Sequence, residues 1–334
     1  MAERADGPRV VSRKILAGML LGCLVFGFAL GVYAGIARGI PFVGETRSDW
    51  AIGIYTGDTP YSLSAPRNIR NPVITAADVS DIPAQLVADP FLVREQDTWY
   101  MFFEVMNEQT DQGDIALATS ADGLRWRYDR VVLDEPFHLS YPFVFEWEGA
   151  YYMIPETSGA NAVRLYRATE FPTQWTLVGT LMEGSPYLDS VVVRFEDRWW
   201  LFTTPTHDND MLRLYYADEL LGPWVEHPQS PIVAGDANIA RPAGRFILQD
   251  GRIIRYAQDD EPGYGNQVLA FEITELTTTT YEERLVSEES VLDPGDTRWN
   301  RRGMHHVDPH QIDGARWLAA VDGKGVRLVF GLQY

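Results

Sequence analysis

Cysteine is nearly absent from this chain of 334 residues, in which Cys23 is the only one. Because Cys23 lies in an N-terminal apolar stretch, we expect no disulfide within the folded body and no cysteine nucleophile for a soluble substrate. Lysine is almost as rare, since only Lys14 and Lys324 are present and nearly all basic residues are arginine. Because the chain has a single cysteine, an oxidising compartment is allowed but not indicated.

Basic charge is also scarce in most of the chain. There are 28 basic and 47 acidic residues, which give a formal net charge of −19 at pH 7. The first 38 residues hold five basic and two acidic residues, so the rest of the chain carries −22. Nucleic-acid-binding proteins present a basic surface to the phosphates, and we therefore predict that nucleic acid is not a partner. An acidic body remains compatible with a neutral, sugar-like ligand.

The motifs of several common enzyme classes are missing. The sequence has no GxSxG, HExxH, P-loop or dinucleotide-binding fingerprint in a suitable context. His305, His306, Asp308 and His310 lie close together in the sequence, but adjacent histidines on a strand point to opposite faces and no full ligand set appears. We therefore predict neither a bound metal ion nor a cofactor.

One long apolar run, Ile15–Ala37, stands near the N-terminus. It contains 23 residues without a charge, which is long enough to cross a bilayer as a helix. Arg9, Arg13 and Lys14 precede it, and basic residues in this position predict that residues 1–14 are cytoplasmic. We therefore predict a single-pass membrane protein whose body is extracytoplasmic.

Two alternatives to an uncleaved anchor stay open. Val32-Tyr33-Ala34 is an acceptable signal-peptide cleavage site, although the apolar run is longer than the usual signal peptide. The "LLGC" of residues 20–23 is similar to a lipoprotein box, although the residues after Cys23 remain apolar.

The body of the chain repeats itself about every 50 residues. "DPFLVREQDTWYMFFE" begins at Asp89, and "YPFVFEWEGAYYMIPE" begins 52 positions later at Tyr141. Comparable stretches begin at Ser190, Gly244 and His305, the last being the weakest copy. Each reads as two short strands joined by a turn, and further strands follow in most copies. The unit is therefore about four strands, present five times.

Units of this size are typical of the blades of a β-propeller. We predict an all-β, five-bladed β-propeller over residues 84–334, with almost no helix after residue 37. The fifth copy has three strands, and we expect Trp50–Gly57 to supply the missing outer strand, which would leave no free sheet edge. Residues 38–83 are then a linker plus this ring-closing strand. Three tryptophans spaced 49 residues apart are predicted to anchor the packing of the blades: Trp126, Trp175 and Trp224.

Polar side chains stand where the predicted inner strands begin or end. In a propeller, the residues that open each innermost strand and those that end the next strand reach the same mouth of the axial channel. Asp89, Glu104, Glu156 and Asp189 should therefore converge, and their pKa values should be pushed apart into acid and base roles. Glycoside hydrolysis needs such a pair of carboxyl groups. The predicted substrate-binding residues at this mouth are Tyr141, Arg241, His305, His306 and Asp308, with Tyr187 and Trp299 as further sugar-stacking surfaces.

Five blades with an Asp-Pro-Phe opening at residue 89 resemble the furanosidase-type glycoside hydrolase propellers. The resemblance implies that Asp89 is the base or nucleophile and that Asp189 tunes or stabilises the site. Those families carry their general-acid glutamate in a motif that this sequence lacks. Glu156 is therefore the first candidate for the acid, and Glu104 is the second.

A second set of motifs, within residues 80–325, resembles the N-terminal propeller domain of glucosamine inositolphosphorylceramide transferases. The motifs are "DPFLV", "YMFFE", "GDIALATSADGLRW", "SYPFVFE", "YYMIPE", "VRLYRA", "FPTQW" and "GMHH". The resemblance implies a propeller with a carbohydrate or glycolipid ligand. The chain ends with the propeller, so we expect the transferase activity of the separate catalytic domain not to carry over.

Two functions remain open from the sequence. One is a glycoside hydrolase-like enzyme that acts on a surface glycan or glycolipid. The other is a non-catalytic carbohydrate-binding or accessory module for a separate glycosyltransferase. Two carboxyl groups facing each other across an open pocket would favour the enzyme.

Overall fold

Antiparallel strands form five sheets, the blades of a β-propeller, in the computed structural model, which describes residues 13–38, 44–314 and 316–329. The first strands in chain order are β1 (Gly44–Thr59), β2 (Ser62–Ser64), β3 (Ala84–Glu95), β4 (Thr98–Asn107), β5 (Gln112–Ser120), β6 (Arg127–Leu133), β7 (Ser140–Trp147), β8 (Ala150–Glu156), β9 (Ala162–Glu170) and β10 (Gln174–Glu183). They are followed by β11 (Leu188–Phe195), β12 (Arg198–Thr204), β13 (Met211–Ala217), β14 (Val225–Glu226), β15 (Val233–Ala234), β16 (Ile247–Gln249), β17 (Arg252–Asp259), β18 (Gln267–Leu276), β19 (Tyr281–Leu285), β20 (Val307–Asp313) and β21 (Arg316–Val329). Two 3₁₀ helices, Ala76–Asp78 and Ser158–Ala160, are the helical segments of the described residues after residue 38.

The first four blades follow the chain. Their strand orders are β3-β4-β5-β6, β7-β8-β9-β10, β11-β12-β13-β14 with β15 also paired to β13, and β16-β17-β18-β19. Tight turns join the first and second strands of the first two blades, with left-handed backbone at Gln96 and at Glu148-Gly149. The predicted propeller with its short hairpins is confirmed.

The fifth blade combines strands from both parts of the chain, in the order β2-β1-β21-β20. The predicted closing strand, Trp50–Gly57, lies within β1, next to β21. The count of three strands for the last copy was wrong, because residues 316–329 form one long strand. β2 supplies the outermost strand instead, pairing with β1 from Thr56–Ser64 to Thr59–Ser62. Residues 330–334 lie outside the described residues.

Aromatic side chains pack the blades against one another. Phe91 of the first blade contacts Tyr141 and Phe143 of the second, at ring-centroid distances of 4.9 and 5.6 Å. Trp175 contacts Phe102 of the first blade at 5.5 Å, edge to face. Burial of each large apolar side chain stabilises the fold by about 1.5–3 kcal/mol. Each of the three predicted tryptophan anchors packs against a buried apolar cluster, which confirms their role: Trp126, Trp175 and Trp224.

The helix α1 (Arg13–Arg38) contains the apolar run near the N-terminus. Many of its large apolar side chains between Met19 and Tyr33 are exposed, and Met19 and Phe28 reach 63% and 74% of full accessibility. Within the described parts of the chain, no helix combines the length and the apolar character that a membrane crossing demands. The first 12 residues of the predicted cytoplasmic segment lie outside the described residues.

Candidate functional site

Three residues on innermost strands share a left-handed backbone conformation. Asp89, Tyr141 and Asp189 have φ angles of 54°, 46° and 44°. At each of them a bulge interrupts the pairing of the first and second strands of the blade. This conformation costs an L-residue about 1–2 kcal/mol, and bulges of this kind redirect a side chain. Because the same bulge recurs in three blades, we infer that this backbone strain serves a functional site and not the pairing of the strands.

Arg241 opens the fourth blade and links carboxylates of two other blades. Its Nε donates a hydrogen bond to Asp189 Oδ2 at 2.6 Å, and its Nη2 lies 3.6 Å from Glu156 Oε2. Asn209 Oδ1 accepts from Nη1 at 3.1 Å, and Gln258 Nε2 donates to the same oxygen of Asp189 at 2.7 Å. Asp189 is therefore a paired carboxylate that holds Arg241 beside Glu156.

Glu156 ends β8 of the second blade, opposite Ser140, and Glu104 lies near the end of β4 of the first blade, opposite Ala88. Burial and the nearby Asp189 raise the pKa of Glu156 to about 7, against the opposing effects of Arg241 and a 2.8 Å hydrogen bond from Ser158. No residue that the structure describes donates a hydrogen bond to Glu156 Oε2.

Burial, Asp189 and Asp322 raise the pKa of Glu104 to about 8, and Arg241 opposes them. Both glutamates therefore retain a proton near neutral pH, which is the property of a general acid. Glu104 also lies near an imidazole, because Nε2 of His138 is 3.5 Å from its Oε1.

His138 was not predicted from the sequence. Its Nδ1 accepts a hydrogen bond from the Gly113 backbone N–H at 2.9 Å, so the proton of the neutral ring is on Nε2, toward Glu104. Burial lowers the pKa of His138, which favours the neutral ring. His138 lies in the connection between two blades, outside the repeated strands, and no sequence signal marked it.

Asp89 is the other carboxylate of the first blade, besides Glu104, that the sequence predicted at this mouth. Its Oδ2 accepts from the backbone N–H of Tyr141 at 3.3 Å, and its Oδ1 lies 3.8 Å from His305 Nε2 and 3.7 Å from His306 Nδ1. Burial raises the pKa of Asp89 well above its ordinary value, His305 opposes this, and the neighbouring carboxylates add to it. Asp89 thus interacts with residues of the second and fifth blades.

Asp322 of the fifth blade is a site carboxylate that the sequence did not predict. It follows the second strand pairing Val307–Val321 of the fifth blade, the position that Glu104 and Glu156 occupy in theirs. The "AAVD" at residues 319–322 was the available signal, because it ends the weakest copy with an acid as "MFFE" ends the first. Its side chain is fully buried.

Two predicted substrate-binding residues have internal partners instead. The Tyr141 side chain is fully buried, and its hydroxyl accepts from Gly244 N at 2.7 Å and donates to Gly244 O at 3.1 Å. The Asp308 carboxylate lies 2.8 Å from Arg245 Nε and 2.9 Å from His310 Nε2. Burial raises the pKa of Asp308, but Arg245 and His310 outweigh this effect and lower the pKa to about 2. Both residues join blades near the axis, where Arg245 also donates to Val144 O.

The aromatic residues beside the acids are also not those expected. Tyr187 is buried, and Trp299 packs near Gly53 and Gly323 within the fifth blade. Instead, Trp50 stacks on His305 with ring centroids 4.1 Å apart. Tyr264 contacts the same imidazole edge to face at 5.2 Å and remains 40% exposed, so it offers an accessible aromatic surface at the rim.

One group of described residues has atoms placed closely enough to be considered for a metal ion. Asp89, His305 and Asp322 each offer one ligand atom, and these atoms lie within 4.8 Å of one another. However, His305 Nδ1 is engaged by Asp322 at 2.8–2.9 Å, so the nitrogen and the carboxylate are already used on each other. The group fits a hydrogen-bonded dyad better than a ligand set, and we assign no metal to it.

Comparison with known proteins places this geometry in a family. A family profile described as glucosamine inositolphosphorylceramide transferase 1, N-terminal, matches residues 44–324. The chain belongs to this family. Glucosamine inositolphosphorylceramide transferase 1 of Oryza sativa subsp. japonica is 37% identical over 314 residues, covering 87% of this chain and 42% of the relative. The Arabidopsis thaliana protein of the same name is 36% identical over 304 residues, covering 84% and 40%. This family member thus spans less than half the length of these relatives.

Solved structures show the same fold at low sequence identity. The catalytic domain of a Coprinopsis cinerea alpha-L-arabinofuranosidase superposes with a TM-score of 0.54 at 13% identity, covering 82% of this chain and 97% of that one. An exo-1,5-alpha-L-arabinanase from a bovine ruminal metagenomic library gives 0.52 at 20% identity, covering 75% and 93%. A family 117 glycoside hydrolase from Zobellia galactanivorans gives 0.51 at 13% identity, covering 83% and 91%. These likenesses establish the propeller fold alone.

Proposed function

We propose that the axial site binds a glycan, or the sugar headgroup of a glycolipid, and performs glycoside hydrolase-like acid–base chemistry on it. The observation that carries the proposal is that buried carboxyl groups of separate blades have different surroundings, which raise the pKa of some and pair another with an arginine. Glu156 and Glu104 have pKa values raised to about 7 and about 8, whereas Asp189 is paired with Arg241. Carboxyl groups whose proton affinities are separated by their surroundings are the usual acid and base of such a reaction.

The proposed reaction breaks the bond between the anomeric carbon and the glycosidic oxygen. Glu156 donates its proton to that oxygen, so the leaving group departs as an alcohol. Asp89 either takes a proton from the water that attacks the anomeric carbon or bonds to that carbon until water displaces it. The separation of the two carboxyl groups in the complex decides between these routes. Asp189 holds Arg241 beside Glu156 and so influences the proton affinity of Glu156.

The relatives support a sugar-related ligand. The relatives are named glucosamine inositolphosphorylceramide transferase 1, and the fold neighbours include an arabinofuranosidase and an arabinanase. An acidic site with an exposed aromatic side chain, Tyr264, suits a neutral sugar ring better than an anion.

A second candidate function is a non-catalytic recognition module. The relatives that this chain matches are named as transferases, which supports a propeller that holds a glycolipid for a glycosyltransferase. In that case the carboxylates would accept hydrogen bonds from sugar hydroxyls, and no bond would be broken.

A membrane anchor is part of the proposal. The 23 uncharged residues from Ile15 to Ala37, the basic residues before them and the exposed apolar side chains of α1 support an N-terminus in the cytoplasm and an extracytoplasmic propeller. The full chain should then stay in the membrane fraction after alkaline carbonate washing. Release of the full chain by that wash would refute the anchor.

The experiment for the site uses the full chain in detergent with a panel of glycans and glycosyl inositolphosphorylceramides, recording binding and released sugar together. Asp89→Asn/Glu156→Gln is compared with Asp218→Asn/Glu226→Gln, which makes the same chemical changes at exposed positions. Turnover that survives only in the control establishes the acid–base function. Binding without turnover, equal in both variants, would leave the recognition module.

A further inference from the structure

Asp89 Oδ1 lies between two histidines of the fifth blade. His305 Nε2 is 3.8 Å away and His306 Nδ1 is 3.7 Å away, while the other oxygen of Asp89 accepts the Tyr141 N–H. The two imidazoles are adjacent in the sequence and both are buried. Their hydrogen bonds on the far side of each ring decide what they present to Asp89.

Asp322 determines the orientation of His305. Its carboxylate accepts from the backbone N–H groups of His305 and His306 at 3.1 Å each and from that of Asp89 at 3.2 Å. It also accepts a hydrogen bond from His305 Nδ1 at 2.9 Å. An ionised carboxylate only accepts, so Nδ1 carries a proton and Nε2 is the atom turned toward Asp89. Charged partners lower the pKa of Asp322 despite its burial, which keeps it ionised.

His306 has the opposite arrangement. Its Nε2 lies 3.1 Å from the carbonyl oxygen of Pro90, which only accepts, so Nε2 carries the proton. Its Nδ1 has no hydrogen-bond partner among the described residues and presents a lone pair to Asp89. Burial lowers the pKa of His306 to about 4, so the ring is neutral near pH 7. His306 therefore cannot compensate a negative charge on Asp89.

We propose that Asp322 and His305 form a positioning dyad, in which Asp322 turns a protonated His305 Nε2–H toward Asp89 Oδ1 and thereby favours the ionised form of Asp89 against the effect of its burial. The inference rests on the proposed function, since an ionised Asp89 is what a base or nucleophile requires. His305 acts through Asp89 and does not contact the reacting atoms. Asp322 in turn acts through His305.

The groups packed around His305 agree with this arrangement. Burial lowers the pKa of His305, but the carboxylates of Asp322 and Asp89 more than offset this and raise it, while Arg241 opposes them. Trp50 stacks on the ring and excludes water from one face. The titratable and charged groups that face His305 from its own and the neighbouring elements are Asp322, His306, Asp89, Arg241, Asp260 and Tyr264.

The first test needs no substrate. The full chain in detergent micelles is labelled on its six histidines, and the imidazole nitrogens are followed by NMR from pH 5 to 9. The resonances of His305 are identified from His305→Gln. We expect His305 to carry a proton on Nδ1 and to titrate above the ordinary value for histidine, and we expect Asp89→Asn to move that midpoint downward. The control Asp218→Asn should leave it in place. A His305 ring that is neutral at pH 6.5, or one that does not respond to Asp89→Asn, would overturn the dyad.

The second test uses the reaction. Loss of the His305 charge raises the pKa of Asp89, so the acidic limb of the kcat profile should move to higher pH in Asp322→Asn and in His305→Gln. Below this limb we expect kcat to fall about tenfold for each pH unit by which the limb moves, with little change in KM. His305→Gln retains an N–H donor and guards against a loss of folding in Asp322→Asn. An unshifted limb in a folded His305→Gln variant would contradict the proposal.

The two proposals fail separately. Turnover that needs Asp89, combined with an unresponsive His305, keeps the acid–base function and removes the dyad. A responsive His305 without turnover on any substrate of the panel keeps the charge arrangement and removes the acid–base function.

Discussion

The ion pair between Arg241 and Asp189 should be among the strongest single supports of the axial site. Arg241→Gln removes the cation and leaves the Asp189 carboxylate, only 2% exposed, with Gln258 Nε2 as its remaining side-chain donor at 2.7 Å. Breaking one partner of a buried pair costs about 3–5 kcal/mol. Because Gln258 still donates, we expect the lower end, about 3 kcal/mol of unfolding free energy, or a melting temperature lower by roughly 6 °C or more.

Urea unfolding of the full chain at pH 7 measures this loss. The matched control is Arg316→Gln, which removes the same side chain from a pair with Asp313 whose partners are 69% and 44% exposed. Solvent screens that pair, so no measurable change is expected. The double variant Asp189→Asn/Arg241→Gln should recover part of the loss, because no unpaired charge is left. Equal effects of the two single variants, or a loss below about 1 kcal/mol for Arg241→Gln, would refute the buried pair.

The same substitution affects the proposed acid. Arg241 lowers the pKa of Glu156, which is about 7 in its presence. Without Arg241 this pKa rises, so Glu156 keeps its proton to higher pH. The basic limb of the pH–rate profile should therefore move upward, and a downward movement would contradict the assignment of Glu156 as the acid.

Three further predictions concern stability. Burial and neighbouring charges raise the pKa of Glu104 from 4.5 to about 8, so the folded state retains a proton that the unfolded state loses. The free energy of unfolding therefore falls as pH rises through this window. In urea unfolding, Glu104→Gln should match the wild type at pH 4 and be more stable by on the order of a few kcal/mol at pH 8. Identical pH responses of the two proteins would contradict this. Asp308→Asn leaves Arg245 without its carboxylate at 2.8 Å and should cost about 3–5 kcal/mol by calorimetry, whereas a loss below about 1 kcal/mol would exclude a buried ionic link. Gly149→Ala meets no atom within 4 Å and should cost only the left-handed backbone term of about 1–2 kcal/mol; Gly244→Ala would place Cβ 1.8 Å from Val307 O and should prevent folding, so a soluble Gly244→Ala chain would contradict the close contact.

The blades and the backbone positions of the site were predictable because they depend on periodic properties. Alternating apolar residues and short turns set each hairpin, and a repeat of about 50 residues fixes where each innermost strand begins. Asp89, Asp189 and Arg241 were therefore expected at one mouth from spacing alone, and Arg241 contacts Asp189.

The partners of individual side chains were not predictable in the same way. Tyr141 was expected to face a ligand, but its hydroxyl is bonded to Gly244, which is 103 positions away along the chain. His138 lies in a connection without periodicity, and its contact with Glu104 depends on the path of that loop. Asp322 lies within β21, in the weakest of the five copies, so the repeat did not draw attention to it. Side-chain hydrogen bonds across the axis depend on local geometry that spacing does not encode.

The order of strands in the fifth blade has a consequence for synthesis on the ribosome. β21 lies between β1 and β20, so β1 cannot join its sheet until the residues from 316 onward have left the exit tunnel. Until then the early blades are made while β1 exposes an unpaired edge, which is open to pairing with other nascent chains. Chaperones that bind extended segments should therefore associate with the N-terminal part of the body until translation is nearly finished, and the ring should close as a late, single event.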